Sequence, residues 1–218
     1  MSGRHAAQAR DEFFVRTEGA GFVRAGRRIL DSVSLEAGPG ETVALVGPSG
    51  SGKSSLLALL ARLEQPDEGV VESSAGTVPT GLVLQGYGLV SVLTAAENVE
   101  AALQVGGERL SRREVRERAA AVLDSVGLGG VSGHLVEELS GGQQQRVAVA
   151  RALVVEPKIV LADELTAELD HDWKNRVVEL VLAVAARGGL VVLATHDPEI
   201  SAHCGRILRL TDGRLLDD

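Results

Sequence analysis

One stretch of this sequence has glycine, lysine and serine at a spacing that suits phosphate chemistry. GPSGSGKS, from Gly47 to Ser54, follows an apolar run and has the form G-x-x-x-x-G-K-[ST]. Glycines allow backbone N–H groups to approach a polyphosphate closely, because no side chain stands in the way. Lys53 is expected to reach the β and γ phosphates, and the Ser54 hydroxyl to hold Mg²⁺. A flexible strand-to-helix turn would not account for Lys53 and Ser54 together, so we predict binding of a nucleoside triphosphate. The expected contacts are Gly47, Pro48, Ser49, Gly50, Ser51, Gly52, Lys53, Ser54 and Ser55.

A second glycine-rich stretch, ELSGGQQQR, occupies residues 138–146. Ser140 and Gln143 have the spacing of a capping box, so one interpretation is an ordinary helix start. However, Gly141 and Gly142 each cost a helix about 0.5–1 kcal/mol relative to alanine, which a purely structural cap does not favour. N–H groups at the positive end of a helix form an anion site. We therefore predict a second phosphate-binding helix end at Ser140, Gly141, Gly142 and Gln143.

Further polar residues follow short apolar runs that read as buried strands. Asp163 and Glu164 end IVLADE, Gln85 ends LVLQ, and His196 follows LVVLAT. A carboxylate at the end of a strand suits a magnesium ligand acting through water, which is the role expected of Asp163. The alternatives are that the two carboxylates are solvated loop residues and that the histidine is structural.

In this order, Gly47–Ser54, Gln85, LSGGQQQR, IVLADE and LATHD resemble the motifs of ABC-type ATPases, and the resemblance spans nearly the whole chain. In that family two ATPase domains face each other head to tail. The signature segment of one, here Leu139 to Gln143, covers the γ-phosphate held by the loop of the other. The resemblance therefore implies ATP and Mg²⁺ as ligands, and ATP hydrolysis as the reaction.

The resemblance also implies individual roles. Glu164 matches the general base that polarises the attacking water, and His196 the switch histidine at the γ-phosphate. Gln85 matches the glutamine that senses Mg²⁺ and water, and Lys53 is counted with these three as catalytic. Asp170 matches the aspartate of the loop that crosses between subunits. The base usually stacks on an aromatic residue before the phosphate loop, for which Phe22 is the best candidate; Phe13 and Phe14 are alternatives that the core could use instead.

The partners implied are a second copy or a homologous ATPase subunit, and an integral membrane permease. The chain looks most similar to ATPases of macrolide-exporter and lipoprotein-release systems, which implies an export-type transporter subunit. The apolar residues Tyr87, Leu89, Val90, Val92 and Leu93 are the expected docking patch for the permease, with burial in the core as the alternative. Two other functions remain open: a soluble ABC ATPase, for example in cluster assembly, and a nucleotide-binding adaptor with weak hydrolysis, in which Glu164 is idle.

Composition narrows the setting. The chain has 22 Lys and Arg against 30 Asp and Glu, a net charge of −8 that argues against nucleic acid as a partner. A single cysteine excludes an internal disulfide. No apolar run reaches the ~18–20 residues of a membrane span, and the N-terminus lacks the apolar core of a signal peptide. We expect a cytoplasmic protein held at the inner face of the membrane through the permease.

Alternating strand-like and helix-like segments predict an α/β fold. It is expected to be a P-loop NTPase fold with a mixed, largely parallel core sheet, an N-terminal antiparallel β subdomain and an inserted helical lobe. The whole chain, 1–218, is predicted to be one domain: residues 12–85 and 144–218 form the nucleotide-binding core, about 86–143 the lobe that ends in the signature segment, and 1–11 are disordered. Leu56, Leu57, Leu59, Leu60 and Leu63 are expected on the inner side of the helix after the phosphate loop.

Two departures from the family pattern stand out. Leu165 occupies the place after Glu164 where the family has proline, which would fix φ. We expect leucine to leave this turn freer, to hold Glu164 less well and to slow the enzyme. The stretch between Ser54 and Gln85 is also shorter than usual, which predicts loss of part of the antiparallel subsheet.

Overall fold

A computed structural model describes residues 13–105 and 109–216. The strands are β1 (Val15–Arg24), β2 (Arg27–Ala37), β3 (Thr42–Val46), β4 (Glu68–Ser73), β5 (Thr80–Val83), β6 (Ile159–Asp163), β7 (Leu190–Ala194), β8 (Arg206–Thr211) and β9 (Arg214–Leu216). The helices are α1 (Lys53–Leu60), α2 (Ala95–Val105), α3 (Arg112–Ser125), α4 (Gly141–Leu153), α5 (His171–Ala186) and α6 (Pro198–Ala202). The predicted disorder of residues 1–11 lies outside the described residues.

The strands form two sheets. The antiparallel sheet has the order β2-β1-β4, and the larger sheet has the order β5-β6-β7-β3-β8-β9. In the larger sheet β5, β6, β7, β3 and β8 run parallel, and only β9 is antiparallel. This is the predicted mixed, largely parallel sheet beside an antiparallel one, so the fold class is confirmed.

The parallel strands are apolar throughout because both of their faces are covered. Side chains alternate across a strand, and in β6 Ile159 and Leu161 join one core cluster while Val160 and Ala162 join another. The first cluster fills the space between the two sheets and contains the leucines of α1. The second lies under α2 to α5. The sheet is therefore anchored on both faces, which holds its carboxyl edge in place.

Helix ends follow the capping residues seen in the sequence. Ser111 and Glu114 form the predicted capping box of α3, and Thr94 exchanges the same two bonds with Glu97 at the start of α2. The predicted hairpin at residues 206–216 is also present, with Asp212 and Gly213 both at positive φ in its turn.

Some boundaries differ from the expectation. Leu63 is 54% exposed, because α1 ends at Leu60 and the chain turns away before Leu63 can face the core. Strand β4 forms within the loop-like stretch 64–81 and completes the antiparallel sheet. Strand β5 covers 80–83 in place of the predicted 82–85, so Gln85 follows the strand by two residues. Helix α4 runs unbroken across residues 143 and 144, so the predicted division between lobe and core falls inside a single helix.

Candidate functional site

The loop from Gly47 to Ser54 joins β3 to α1 and leaves little room for side chains. A Cβ on Gly47 would lie 2.0 Å from the backbone oxygen of Leu210, and one on Gly52 would lie 2.7 Å from Leu30. Gly50, at φ +78°, faces open space instead. Two of the loop glycines are therefore required by close approach, and the third leaves the loop uncovered on the side where a ligand would approach.

Two buried polar side chains of the loop point to an anion. Lys53 is 7% exposed, and its ammonium group donates to the backbone oxygens of Gly47 and Pro48 at 2.9 and 3.0 Å. The Ser51 hydroxyl is buried and has no hydrogen-bond partner among the described residues. A buried cation and an unpartnered donor in one loop fit a polyphosphate, which would satisfy both.

The start of α1 differs from that of the later helices. The N-cap residues of α3, α4, α5 and α6 are Ser111, Ser140, Asp170 and Asp197, and each accepts a hydrogen bond from a first-turn N–H. Helix α1 starts at Gly52, which has no side chain, and its first turn contains no acidic residue. Its positive end therefore lacks an internal acceptor and fits a phosphate group.

Asp163 ends β6 and lies beside the phosphate loop. The Ser54 hydroxyl lies close enough to its carboxylate to favour the charged form. Burial raises the pKa of the Asp163 carboxyl, and the charge of Glu164 adds to this, while Ser54 and Lys53 act in the opposite direction. Oxygen ligands are those that Mg²⁺ prefers, so the hydroxyl of Ser54, the carboxylate of Asp163 and the amide oxygen of Gln85 form a donor set that fits this ion.

Glu164, the next residue, has a backbone conformation that is unusual for a residue with a side chain. Its φ is +51°, in the left-handed region, and its N–H donates to the Ala194 oxygen at 3.0 Å. This conformation turns the carboxylate towards His196, whose Nδ1 lies 2.9 Å from a carboxylate oxygen. Positive φ at a non-glycine residue is a form of strain that concentrates at functional sites.

One cleft of about 390 Å³ lies at the carboxyl edge of the parallel sheet. Asp163, Glu164 and His196 line it, whereas the side chains of Ser51, Lys53 and Ser54 lie outside its lining. Ligands of open α/β sheets bind in such crevices. The predicted site residues that line the cleft are Ser49, Gln85, Asp163, Glu164 and His196; its other lining residues are Val83, Leu84, Gly86, Tyr87, Gln145, Ala167 and Glu168.

Comparison with known proteins gives the family. A model described as ABC transporter matches residues 30–167. The chain belongs to the ABC transporter family. The macrolide export ATP-binding/permease protein MacB of Rhodospirillum rubrum is 41% identical over 205 residues, covering 88% of this chain and 31% of that protein. The lipoprotein-releasing system ATP-binding protein LolD of Chromohalobacter salexigens is 38% identical over 231 aligned residues, covering 97% of each chain.

Solved structures agree with this assignment. A dimeric post-hydrolysis state of the ATP-binding cassette MJ0796, bound to ADP and Pi, superposes with a TM-score of 0.87 at 33% identity, covering 93% of this chain and 97% of that chain. The chain is thus an ABC ATPase cassette. It spans about a third of the length of the MacB relatives, which combine ATP-binding and permease functions in their names.

The signature segment of this ABC ATPase forms the predicted capping box. The Ser140 hydroxyl accepts from the Gln143 N–H at 3.3 Å, and the Gln143 side chain accepts from the Ser140 N–H at 2.9 Å. A Cβ on Gly142 would lie 2.7 Å from the backbone oxygen of Glu168. Close packing against Glu168 therefore also requires glycine at position 142, and helix propensity alone does not show this. None of the four residues lines the cleft.

Two other predicted ligand-binding residues are engaged elsewhere in this ABC ATPase. Asp170 caps α5, because its side chain accepts from the Trp173 N–H at 2.9 Å. Phe22 is buried in the core between the sheets and lines a separate cavity of about 560 Å³ beside Arg24 and Arg62. The structure does not bring Phe22 into the cleft, and its ring has little free surface on which a base could stack. Phe13 also packs against that core.

The turn after Glu164 was expected to be freer with leucine than with proline, but in the structure the Leu165 side chain holds it. Leu165 is 2% exposed and packs into the cluster under α2 to α5. Burial of its side chain anchors the turn, where proline would have fixed the backbone through its ring. In this ABC ATPase the same segment is therefore held by packing.

Two residues near the site were missed from sequence. Gln145, 1% exposed, hydrogen-bonds the backbone of the segment from Glu164 to Glu168. Lys174 of α5 pairs with Asp197, the residue after His196, and holds the pKa of that carboxyl below its usual range. The only signal for Gln145 was a glutamine at a helix position that faces the core. An ion pair between two distant segments leaves no local pattern.

Proposed function

We propose that this chain is the ATP-binding and ATP-hydrolysing subunit of an ABC transporter, that it pairs head to tail with a second copy or a homologous subunit around two ATP molecules, and that it drives a separate export-type permease. The observation that carries the proposal is the separation of the two glycine-rich segments. Ser49 of the phosphate loop lines one cleft together with Asp163 and Glu164, and Lys53 acts electrostatically on Asp163, while no residue of Ser140–Gln143 lines that cleft. A second chain is needed to bring a signature segment to that cleft.

In this proposal the phosphate loop holds the triphosphate. Its backbone N–H groups and the uncapped start of α1 bind the phosphates. Lys53 leaves its contacts with the Gly47 and Pro48 oxygens and reaches the β and γ phosphates, and the Ser51 hydroxyl gains an acceptor. The loop contributes binding and charge neutralisation, and no proton transfer is asked of it.

Ser54, Asp163 and Gln85 are the proposed holders of Mg²⁺, with Asp163 acting through water. Mg²⁺, when bound, neutralises phosphate charge and fixes the phosphate geometry. The Ser54 hydroxyl already interacts with the Asp163 carboxylate, so their oxygens lie near each other before any ion binds.

Glu164 is the proposed general base. Its carboxylate takes the proton of the attacking water, and His196 keeps that carboxylate in one orientation while also facing the γ-phosphate. The alternative of an idle Glu164 corresponds to a nucleotide-binding adaptor. Asp170 is proposed to meet the partner subunit, and Phe22 stays the proposed adenine contact on condition that its ring becomes uncovered.

Docking on a permease is proposed for the segment after Gln85. Val90 and Val92 are exposed there, Val92 at 72%, whereas Tyr87 and Leu89 pack partly against the core. Among the described residues, no helix is both long enough and apolar enough to span a bilayer. The names of the relatives support an export or lipoprotein-release system, and attachment to the inner face of the membrane would then come through the permease.

The head-to-tail arrangement is tested by mixing two inactive variants. Lys53→Ala disables the phosphate loop, and Ser140→Arg disables the signature segment. A mixed dimer contains one site with both parts intact, so phosphate release should reappear on mixing. A mixture of two phosphate-loop variants, Lys53→Ala and Lys53→Met, is the control and should stay inactive. No recovery in the first mixture would mean that each chain builds its site alone, and the proposal would fail.

Permease docking is tested with exposed valines. Val92→Glu should release the protein from membranes of its own cells. Val105→Glu, at a position that is also exposed and outside the proposed patch, is the matched control and should leave membrane association unchanged. Equal membrane association of both variants and the natural chain would count against this surface.

A further inference from the structure

Gln145 lies in the second turn of α4 and lines the cleft, and both the nitrogen and the oxygen of its amide group are hydrogen-bonded. Its Nε2 donates to the backbone oxygen of Glu164 at 2.7 Å, and its Oε1 accepts from the N–H of Glu168 at 2.9 Å. The side chain is almost completely buried. One glutamine therefore bridges both ends of the segment from Glu164 to Glu168 and ties it to the helix that begins with the signature segment.

The bridge acts on Glu164, a residue with a strained backbone conformation. Glu164 has φ +51°, and a residue with a side chain keeps such a conformation only where its surroundings impose it. The Ala194 oxygen holds the N–H of Glu164 at 3.0 Å, and Gln145 holds its carbonyl. With both backbone groups fixed, the direction in which the side chain leaves the backbone is fixed, and the contact with His196 then holds the carboxylate.

From these contacts we infer that Gln145 is a positioning residue for Glu164, and that it links the start of α4 to the base. The inference rests on the proposed role of Glu164. Ser140 caps the same helix, Gly141 and Gly142 begin its first turn, and an α-helix moves as a rigid unit over such a distance. A shift of the signature segment against a partner subunit would therefore move Gln145 and, through its hydrogen bond, the carbonyl group of Glu164.

Gln144 provides a matched control on the same helix. Its Nε2 donates to the backbone oxygens of Val136 and Leu139, both at 3.0 Å. Like Gln145 it makes two bonds to backbone, but it is only partly buried and does not line the cleft. Its loss removes comparable bonding without touching Glu164.

The experiment compares Gln145→Glu and Gln145→Met in two backgrounds. Gln145→Met removes both bonds without adding a charge, so it remains measurable even where Gln145→Glu, which places a buried carboxyl group against the Glu164 carbonyl, does not fold. We expect kcat to fall about 10- to 100-fold, as for a misplaced catalytic group. KM and the affinity for ATP should change less than about threefold, because the phosphate loop is untouched.

The decisive measurement is single-turnover phosphate release in the Glu164→Gln background. There the group that Gln145 positions is already gone, so either Gln145 variant should lower the remaining rate less than about twofold. Gln144→Met should instead have the same effect in both backgrounds. An equal loss from the Gln145 variants in both backgrounds, or an unchanged kcat in the natural background, overturns the inference. Unchanged turnover in Glu164→Gln alone refutes the proposed base first, and the inference falls with it.

Discussion

A carboxylate oxygen of Glu164 lies 2.9 Å from Nδ1 of His196, although 32 positions separate the two residues in the chain. The contact follows from the sheet. Strands β6 and β7 are parallel neighbours in which Asp163 is aligned with Ala194, so the residues that follow these two strands emerge side by side. A ligand that binds at this edge of the sheet therefore meets the Glu164 carboxylate and the His196 ring together.

Replacing Glu164 with Gln is expected to lower ATP turnover roughly 10²- to 10⁴-fold, the range for a lost general base. ATP binding should persist, because Lys53 and the loop remain. Phosphate release and equilibrium binding of ATP measure the two effects separately. Turnover equal to that of the natural chain would favour the adaptor, in which Glu164 is idle.

Asp163→Asn is expected to stabilise the protein in the absence of Mg²⁺. Burial raises the pKa of the Asp163 carboxyl, so the folded state disfavours its charged form. Stability from this group is fully present below its unfolded pKa of about 3.9 and is lost as the pH rises through the raised folded pKa. At pH 7 the charge is therefore a cost, which Asn removes while keeping the shape of the side chain.

Thermal unfolding in EDTA measures this effect. The melting temperature of Asp163→Asn should exceed that of the natural chain at pH 7, and the difference should shrink towards pH 4. Magnesium-dependent turnover should fall in the same variant. A lower melting temperature at pH 7 would show that burial does not penalise the charge.

Leu165→Pro, the change towards the family pattern, is expected to weaken this protein. It removes a leucine side chain from a packed core, and truncations of that kind cost about 2–5 kcal/mol in the free energy of unfolding. Denaturant unfolding checks the loss, with Leu165→Met as a control of similar volume that should cost less than about 1.5 kcal/mol. Unchanged stability together with faster turnover would mean that the natural leucine does leave the turn too free.

Glu168→Gln is expected to favour the ATP-bound dimer. A Cβ on Gly141 would lie 3.2 Å from Oε2 of Glu168, so this carboxylate faces the helix end that is proposed to meet the partner's γ-phosphate. Glu168 and the partner's γ-phosphate carry charges of the same sign, and removing an exposed charge pair of this kind is worth about 0.2–1 kcal/mol, or a dissociation constant lower by up to roughly fivefold.

The dissociation constant of the dimer is best measured by sedimentation in the Glu164→Gln background with ATP, because hydrolysis there does not dissociate the dimer. High salt should reduce the gain, because exposed charges are screened. Glu137→Gln removes an exposed carboxylate on the approach to the signature segment and should have a smaller effect. A weaker dimer with Glu168→Gln would show that the carboxylate supports the interface.

The local structure followed closely from the sequence. The buried strands around residues 42–46, 159–163 and 190–194, the capping boxes at Ser111 and Ser140, and the hairpin turn at Asp212 were all predicted. Each depends on residues within a few positions of one another, because periodicity and capping are local properties. Leu63 was misplaced, since apolar spacing does not mark where a helix ends.

The sequence by itself determined the elements, the family resemblance and the list of polar residues at the strand ends. Only the tertiary structure decided how those residues are held: the contact of Glu164 with His196, the buried anchor of Leu165, the close approach at Gly142 and the bridge made by Gln145. Each of these joins segments that meet only after the strands have taken their order in the sheet. Strand order depends on the packing of the whole core, which no local spacing of residues encodes.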